Sequence, residues 1–281
     1  MILEANLIDR TFGHHPTCSI AGRSSQHIKW RRVEFERSLA TVITDASITL
    51  SETAKNSNYS ELIAWTLESS AIQPNVISFL MKRGNDFRRI YTHNSSLLDK
   101  YAHARFVPGG GVWIGGTHAG GQIGIHPKSH LVSMISSKKL RSPLHRFRLA
   151  AALQTKVQSK KFDVSIGSSQ IESWNLLESH AFNIAIENYE DDYYFTEKLL
   201  NCFATGTIPI YFGARQISDF FNPAGIIAFR TLKELRTILK NIDMVEYERR
   251  KEAIQDNFVR VQKFLTIEDF IYQNYKEDLC N

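Results

Sequence analysis

Residues 182–213 read FNIAIENYEDDYYFTEKLLNCFATGTIPIYFG, and this stretch has the clearest structural pattern in the chain. An apolar run ends at Glu187 and Asn188, and a loop of acidic and aromatic residues follows. Thr196 then precedes a mostly apolar segment, and a second apolar run begins at Ile208. The order predicts strand, loop, helix and strand, which is the repeating unit of an α/β fold.

The triplet Thr196-Glu197-Lys198 falls at the expected beginning of that helix. A helix N-terminus has free backbone N–H groups and a positive dipole end, so it suits an anion such as a phosphate. Lys198 adds a full positive charge, and Glu197 is able to accept hydrogen bonds from ribose hydroxyls. The pattern therefore predicts a nucleotide-phosphate site, and the alternative is an ordinary strand–helix–strand unit with a capped helix.

The same stretch resembles the donor-binding motif of the alpha-1,3-fucosyltransferase family. That motif runs from an apolar strand through Glu-Asn, an acidic-aromatic loop and Tyr-x-Thr-Glu-Lys to a helix and Gly-Thr-x-Pro-x-x-x-Gly. The matching positions are Glu187, Asn188, Tyr194, Thr196, Glu197, Lys198, Gly206, Thr207, Pro209 and Gly213. The resemblance implies that the first six of these residues bind a nucleotide-sugar donor.

A second segment, residues 131–153, extends the resemblance. The family has an apolar strand, a polar turn and a helix whose first turn carries a diphosphate-binding Arg. Arg146 is the best match in this chain, and Arg141 and Arg148 are nearby alternatives. A guanidinium can grip two phosphate oxygens at once. The alternative is that these arginines form a solvated basic face.

The candidate catalytic residue is Glu68, in the first half of the chain. Residues 65–70 read WTLESS and are similar to the strand-end Glu-Ser-Pro of the fucosyltransferases. The resemblance implies that Glu68 takes a proton from the acceptor hydroxyl in an inverting transfer, which is general-base chemistry. Asp45 also ends an apolar run and is the rival base, and a solvent-exposed Glu68 without a catalytic role is the other alternative.

Strand-like and helix-like segments alternate through both halves of the chain. The predicted strands are Ala40–Asp45, Leu62–Glu68, Phe87–His93, Ala104–Val107, Leu131–Ile135, Phe162–Ile166, Ala181–Ile186, Ile208–Phe212 and Gly225–Phe229. The predicted helices are Pro74–Lys82, Ser95–Tyr101, Pro143–Gln158, Ile171–Ser179, Thr196–Ala204, one from Thr231, one near Val245–Leu265 and Ile267–Tyr275.

A glycine-rich segment separates the two halves, because eight of the 15 glycines lie between Gly109 and Gly124. This arrangement predicts an α/β protein with two Rossmann-like domains facing across a cleft, which is the GT-B architecture. Residues 1–127 are expected to form the acceptor-side domain. Residues 128–281 are expected to form the nucleotide-sugar donor domain with C-terminal helices.

Composition limits the partners and the compartment. The chain has 34 Lys and Arg against 29 Asp and Glu, a mild excess that suits anionic substrates or a membrane surface and disfavours nucleic-acid binding. Its three cysteines are far apart, which predicts no disulfide framework and a reducing compartment. The sequence shows no signal peptide and no long apolar run, so we expect a cytoplasmic protein whose membrane association, where it occurs, is peripheral.

No metal or other cofactor is expected. His118, His126 and His130 lie near one another in sequence, but Pro127 interrupts the helix that a His-x-x-x-His pair needs. Asp191-Asp192 is similar to the Asp-x-Asp of metal-dependent glycosyltransferases, which belong to a different architecture. We therefore interpret the two Asp as loop residues that are solvated or contact the sugar.

Together these features predict an inverting glycosyltransferase that uses a nucleotide-diphosphate sugar. GDP-fucose is the first choice by resemblance, and the acceptor is a glycan or glycolipid hydroxyl. One alternative is an exostosin-like transferase with a UDP-sugar donor. The other is a non-catalytic module that binds nucleotide-sugars.

Overall fold

The computed structural model describes residues 2–9, 22–32, 36–50, 61–117, 119–136, 142–159, 161–166 and 170–280. The chain forms two compact units, and each unit is assembled from more than one segment. Unit 1 comprises Met1–Gly111, Asp191–Tyr194 and Lys263–Asn281. Unit 2 comprises Val112–Glu190 and Phe195–Gln262.

Unit 1 is built on a six-stranded parallel sheet with the strand order β2-β1-β3-β4-β5-β6. The strands are β1 (Leu3–Ile8), β2 (Ile28–Arg31), β3 (Thr41–Thr44), β4 (Leu62–Trp65), β5 (Arg89–Thr92) and β6 (Ala104–Phe106). Strand β4 is buried along its whole length, as expected for a parallel strand covered on both faces.

Unit 2 is built on a five-stranded parallel sheet with the strand order β11-β10-β9-β7-β8. The strands are β7 (His130–Ser136), β8 (Asp163–Ile166), β9 (His180–Ile186), β10 (Ile208–Phe212) and β11 (Ile227–Ala228). The central strand β9 is entirely buried, because it pairs with β7 and β10 and lies between layers of helices. Its carboxyl end therefore delivers the next residue, Glu187, into a closed environment.

The helices cover the two sheets. They are α1 (Pro74–Arg83), α2 (Ser95–Lys100), α3 (His145–Gln158), α4 (Gln170–Ser179), α5 (Glu197–Ala204), α6 (Leu232–Asn241), α7 (Met244–Arg249), α8 (Lys251–Val261) and α9 (Ile267–Tyr275). Among these described helices, none has both the length and the apolar character needed to cross a membrane.

The α/β fold class with two parallel sheets is confirmed. The predicted strand–helix–strand order of residues 182–213 is present as β9, α5 and β10. Strands β1 and β2 were absent from the sequence prediction because charged and amide residues interrupt their apolar patterns. The single helix predicted near Val245–Leu265 is two helices, α7 and α8, which meet at Arg250.

The division of the chain also differs from the predicted boundary at residue 127. Unit 2 begins at Val112, and the C-terminal segment from Lys263 belongs to unit 1 rather than to the second half. Helix α9 packs on the unit 1 sheet, where Ile271 joins the same buried apolar cluster as Trp30. The indole Nε1 of Trp30 donates to the Glu268 carboxylate at 3.2 Å. Helix α9 therefore buries its apolar residues against the unit 1 sheet and forms part of the helical layer that covers it.

Candidate active site

The carboxylate of Glu187 lies at the carboxyl end of β9 and is completely buried. One of its oxygens accepts a hydrogen bond from the backbone N–H of Thr196 at 2.9 Å, and the other accepts from the Thr196 hydroxyl at 2.7 Å. A Cβ placed on Gly213 would lie 2.6 Å from Cγ of Glu187. Glu187 therefore fixes the beginning of α5, and Gly213 leaves it the space to do so.

Thr196 is the N-cap of α5, and its hydroxyl accepts from the Lys198 backbone N–H at 3.4 Å. This bond satisfies one of the backbone N–H groups at the helix N-terminus that we expected to bind a phosphate. The Lys198 ammonium lies 3.1 Å from Oε1 of Glu197 and 3.5 Å from Oε2 of Glu187. The site thus offers a half-buried cation held by two carboxylates.

The electrostatics of this cluster are dominated by burial and by the charges around Lys198. Burial alone would lower the pKa of Lys198, but the carboxylates of Glu197 and Glu187 outweigh it and raise that pKa above its usual value. Burial raises the pKa of Glu187, while the Lys198 charge and the Thr196 donors act in the opposite direction. Lys198 is therefore held in its charged form.

Arg148, and not Arg146, is the arginine that joins this cluster. Nη1 of Arg148 donates to Oδ1 of Asn188, and its side chain is buried. Its charge lies close enough to lower the pKa of Lys198. Arg146 is exposed. It lies two residues before Arg148, and at about 100° per residue its side chain is roughly 200° around the helix from that of the buried Arg148. The third candidate, Arg141, lies outside the described residues.

Asn188 is held from both its side chain and its backbone. Besides the Arg148 contact, its carbonyl oxygen accepts from the Ser142 hydroxyl at 2.7 Å. The Ser142 hydroxyl also accepts from the Leu144 backbone N–H, at the beginning of α3. The strand-end pair Glu187 and Asn188 thus connects two helices, α5 through Thr196 and α3 through Arg148.

Tyr194 is part of the segment Asp191–Tyr194, which belongs to unit 1. Its ring is buried, with its centroid 4.6 Å from that of His93. A Cβ on Gly109 would lie 2.8 Å from the Tyr194 ring. The structure therefore gives Tyr194 a packing role in unit 1.

In unit 1, the two candidate bases have different environments. Asp45 is completely buried, and its Oδ1 accepts from the backbone N–H groups of Leu67 at 3.0 Å and Glu68 at 3.4 Å. Burial raises the pKa of Asp45 to about 8, against the effect of these two donors. Glu68 is only partly buried. Asp45 thus fixes the segment that presents Glu68.

His93 is a residue of this region that the sequence did not single out. It is buried, and its Nε2 lies 3.2 Å from the carbonyl oxygen of Leu67. Burial lowers the pKa of His93 to about 4, so the ring is neutral and Nε2–H donates to that carbonyl. The sequence feature that could have identified His93 is its position at the end of an apolar predicted strand.

Lys128 is a second residue that the sequence analysis missed. Its ammonium donates to the carbonyl oxygens of Leu177, Glu178 and Thr205 and to the hydroxyl of Thr207, at 2.8–3.2 Å. Burial lowers the pKa of Lys128 to about 7. Gly206, between two of these acceptors, has a φ of +69°, which favours glycine. The Gly206-Thr207 motif is thus part of a buried polar network at the amino end of β10.

The candidate metal-binding residues that the structure describes do not form a cluster. Asp191 is buried and accepts from Asn94 and from the backbone N–H of Ser95, so it is not a solvated loop residue. Nε2 of His126 lies 3.0 Å from the carbonyl oxygen of Gln122. His118 lies outside the described residues. Among the side chains that the structure describes, no group of three or more His, Cys, Asp or Glu is arranged to hold a metal ion.

Residues 125–280 match the family model described as glycosyltransferase family 10 (fucosyltransferase), C-terminal part. Over 73 residues the chain is 38% identical to an alpha-(1,4)-fucosyltransferase of Arabidopsis thaliana, a match that covers 24% of this chain and 18% of that protein. Over 71 residues it is 31% identical to an alpha-(1,3)-fucosyltransferase of Helicobacter pylori, covering 25% and 14%. The matched segment is thus less than a fifth of each relative's length.

Solved structures share the fold of the chain. An alpha1,3-fucosyltransferase matches with a TM-score of 0.56 and 16% identity, over 99% of this chain and 90% of that one. The same enzyme type with GDP-fucose matches with a TM-score of 0.54 and 14% identity, over 98% and 91%. A sucrose-phosphate synthase of Thermosynechococcus elongatus matches with a TM-score of 0.56 and 9% identity, over 84% and 73%. The shared architecture is that of the GT-B glycosyltransferases.

Proposed function

The chain belongs to glycosyltransferase family 10, the fucosyltransferases, and from this premise we propose that it transfers L-fucose from GDP-fucose to a hydroxyl of a glycan. The reaction breaks the bond between the sugar C1 and the diphosphate oxygen and forms a bond from C1 to the acceptor oxygen. We propose that the attack occurs opposite the leaving diphosphate, so that the configuration at C1 is inverted.

The observation that carries the proposal is the cluster of Glu187, Thr196 and Lys198 with Arg148 at the carboxyl edge of the unit 2 sheet. Ligands of open α/β sheets bind beyond the carboxyl ends of the strands. Lys198 and Arg148 supply two positive charges to a leaving diphosphate, and a guanidinium and an ammonium both form charge-assisted bonds to phosphate oxygens. Stabilising that developing charge is the main catalytic contribution we expect.

The base proposed for the acceptor hydroxyl is Glu68. Glu68 is only partly buried, whereas Asp45 is completely buried and its Oδ1 accepts from two backbone N–H groups. Proton removal by a positioned carboxylate contributes typically about 10²–10⁴-fold to a rate. Asp45 and His93 are proposed as positioning residues, because Asp45 accepts from the backbone N–H groups of Leu67 and Glu68 and His93 donates to the carbonyl oxygen of Leu67.

The acceptor, the metal requirement and the compartment are proposed from the chemistry of the chain. The acceptor is a glycan or glycolipid, and no metal is required because side-chain cations neutralise the diphosphate. The compartment is the cytoplasm, since the three cysteines are widely spaced and Cys202 is a buried free thiol.

A thermal-shift panel with GDP, UDP, CDP and dTDP tests the donor. A ligand that binds the folded state raises the apparent stability, so GDP should give the largest shift and GDP-fucose should then be consumed in the presence of glycan acceptors. A largest shift with UDP would favour an exostosin-like donor. Binding of GDP-fucose without transfer or hydrolysis would favour a non-catalytic module and contradict the proposed activity.

A further inference from the structure

Helix α3 has its larger aliphatic side chains on the outside. Its buried residues are Arg148, Ala151, Ala152 and Thr155. The exposed fractions of its aliphatic residues are 36% for Leu149, 51% for Leu153 and 86% for Val157. A surface helix of a globular protein normally shows the reverse pattern, with its large apolar residues toward the core. Packing against the residues that the structure describes therefore does not explain the outward face of α3.

Leu149, Leu153 and Val157 follow one another at intervals of four residues. Residues four apart lie on one side of an α-helix, so these side chains form a continuous ridge. At 1.5 Å of rise per residue, the ridge is about 12 Å long. We call it the α3 ridge. A contiguous exposed apolar feature of this kind marks an interaction surface more often than scattered single residues do.

Helix α6 lies beside α3 and runs in the same direction. The side-chain amides of Gln154 and Gln158 donate to the carbonyl oxygens of Leu232 and Arg236, each at 3.0 Å. The two helices therefore stay in a fixed register along their length, and their exposed faces form one surface.

The exposed face of α6 is basic. Lys233, Arg236 and Lys240 are exposed at spacings of three and four residues, and none of them forms an ion pair with another residue that the structure describes. The one acidic residue of α6, Glu234, accepts from the backbone N–H of Arg230 at 2.7 Å as part of a helix cap. The α3 ridge is thus bordered by unpaired cations.

The charge distribution along the chain agrees with this local picture. Residues 135–162, which include α3, contain eight Lys and Arg and no Asp or Glu. The rest of the chain carries 26 basic and 29 acidic residues, so the whole positive excess resides in this one segment. A net basic character confined to the stretch of sequence that contains the ridge favours an anionic partner.

We propose that the α3 ridge and the basic face of α6 dock on the surface of an anionic membrane. The three aliphatic side chains enter the boundary between lipid headgroups and acyl chains, and Lys233, Arg236 and Lys240 contact lipid phosphates. This combination of a narrow apolar face with flanking Lys and Arg is the chemistry by which helices lie in a membrane interface.

A second copy of the chain fits this surface less well. Stable protein interfaces bury about 800 Å² on each partner, far more than a ridge of three side chains provides. In a two-fold dimer the same patch would also face itself, and its cations would oppose each other. The docking proposal does not depend on the proposed transfer reaction.

The test measures sedimentation of the full chain with vesicles of phosphatidylcholine alone and with about one third phosphatidylglycerol. We expect binding to the anionic vesicles, weakened by high salt, and little binding to the neutral ones. The double variant Leu153→Ser/Val157→Ser should bind at least about tenfold more weakly, because it removes buried apolar area from the interface. The variant Lys233→Gln/Lys240→Gln should lose most of the salt dependence.

The matched control is Val245→Ser/Val259→Ser, which changes two valines of α7 and α8 that are 56% and 59% exposed. Its vesicle binding should equal that of the unchanged protein, and all variants should keep the melting temperature within a few degrees. Equal losses in the control, or no anionic-vesicle binding by the unchanged protein, would overturn the proposal. A change of oligomeric state in the α3 variant would instead identify a second copy as the occupant and would also overturn it.

Discussion

Asp45 in unit 1 and Glu187 in unit 2 are buried carboxylates that hold a later backbone segment in place. The charges around the two residues differ. Each follows a buried strand of a parallel sheet, and each accepts a hydrogen bond from the backbone of a later segment. Both oxygens of Glu187 receive donors, and Lys198 lies 3.5 Å away. Oδ2 of Asp45, in contrast, has no hydrogen-bond partner among the described residues.

A buried carboxylate at the end of a strand thus has two different roles in the two units. Glu187 forms part of a charged group that holds Lys198 where a diphosphate is proposed to bind. Asp45 is favoured as a neutral carboxyl group at physiological pH, because burial raises its pKa to about 8. It therefore positions Glu68 without placing a second full negative charge beside it.

Glu68→Gln should lower turnover by about 10²–10⁴-fold and leave the affinity for the nucleotide-sugar nearly unchanged. The substitution keeps the shape of the side chain and removes the proton acceptor. Steady-state kinetics and calorimetric titration of GDP measure the two quantities separately. Near-normal turnover would exclude Glu68 as the base and would return attention to Asp45.

Lys198→Ala should weaken donor binding roughly tenfold or more, since a charge-assisted contact to phosphate contributes about 1.5–3 kcal/mol. It should also lower the free energy of unfolding, because Glu187 then stays buried without its counter-charge. Calorimetry with GDP and urea unfolding measure the two effects.

The double variant Lys198→Ala/Glu187→Gln separates these effects. A neutral Gln at position 187 needs no counter-charge, so stability should recover toward that of the unchanged protein. Donor affinity should stay low, because the cation is still missing. Full recovery of GDP binding in the double variant would show that Lys198 acts only on the fold.

Asp45→Asn should change how stability depends on pH. With a pKa near 8 in the folded state and 3.8 in the reference state, the folded protein binds the extra proton between these values. The free energy of unfolding of the unchanged protein should therefore fall as pH rises, by roughly 2 kcal/mol from pH 6 to pH 8. Asn carries no proton to lose, and it tolerates the φ of +37° at this position.

Urea unfolding at pH 6 and pH 8 checks this prediction on both proteins. The Asn variant should be close to the unchanged protein at pH 6 and more stable at pH 8. Identical slopes with pH would mean that Asp45 titrates normally and that the contrast with Glu187 is absent.

Chelation should have the smallest effect. If Lys198 and Arg148 neutralise the diphosphate, transfer should continue in EDTA at an unchanged rate, and added Mg²⁺ or Mn²⁺ should not stimulate it. Turnover measured before and after dialysis against EDTA provides the check. Complete loss that Mn²⁺ restores would assign the charge neutralisation to a metal instead.

The sequence predicted the central part of unit 2 well, since local patterns determine it. The strand ending at Glu187, the capping Thr196 and the helix through Ala204 are all present as expected. The choice between Arg146 and Arg148 could not be made from the sequence, for a geometric reason. It depends on which side of α3 faces Asn188, a residue 40 positions away, and spacing within the helix does not contain that information.

The sequence also could not predict which residues that are far apart in the chain pack against each other. Tyr194 and Asp191 lie only a few residues from Glu187 in the chain, yet they pack in unit 1 against His93 and Asn94. From the sequence, we interpreted Asp191 as a loop residue that is solvated or contacts the sugar, and Tyr194 as a donor-binding residue. Burial against distant residues decided their environment, and a single sequence carries no direct record of such contacts.

The packing of α9 on the first sheet has a consequence for the order in which the protein matures. The bond between Trp30 and Glu268 joins residues 238 positions apart, and Ile271 completes the cluster around Trp30. During synthesis from the N-terminus, every residue of unit 2 emerges before this closing helix does. Unit 1 therefore cannot be completed until α9, the last α-helix that the structure describes, has been made.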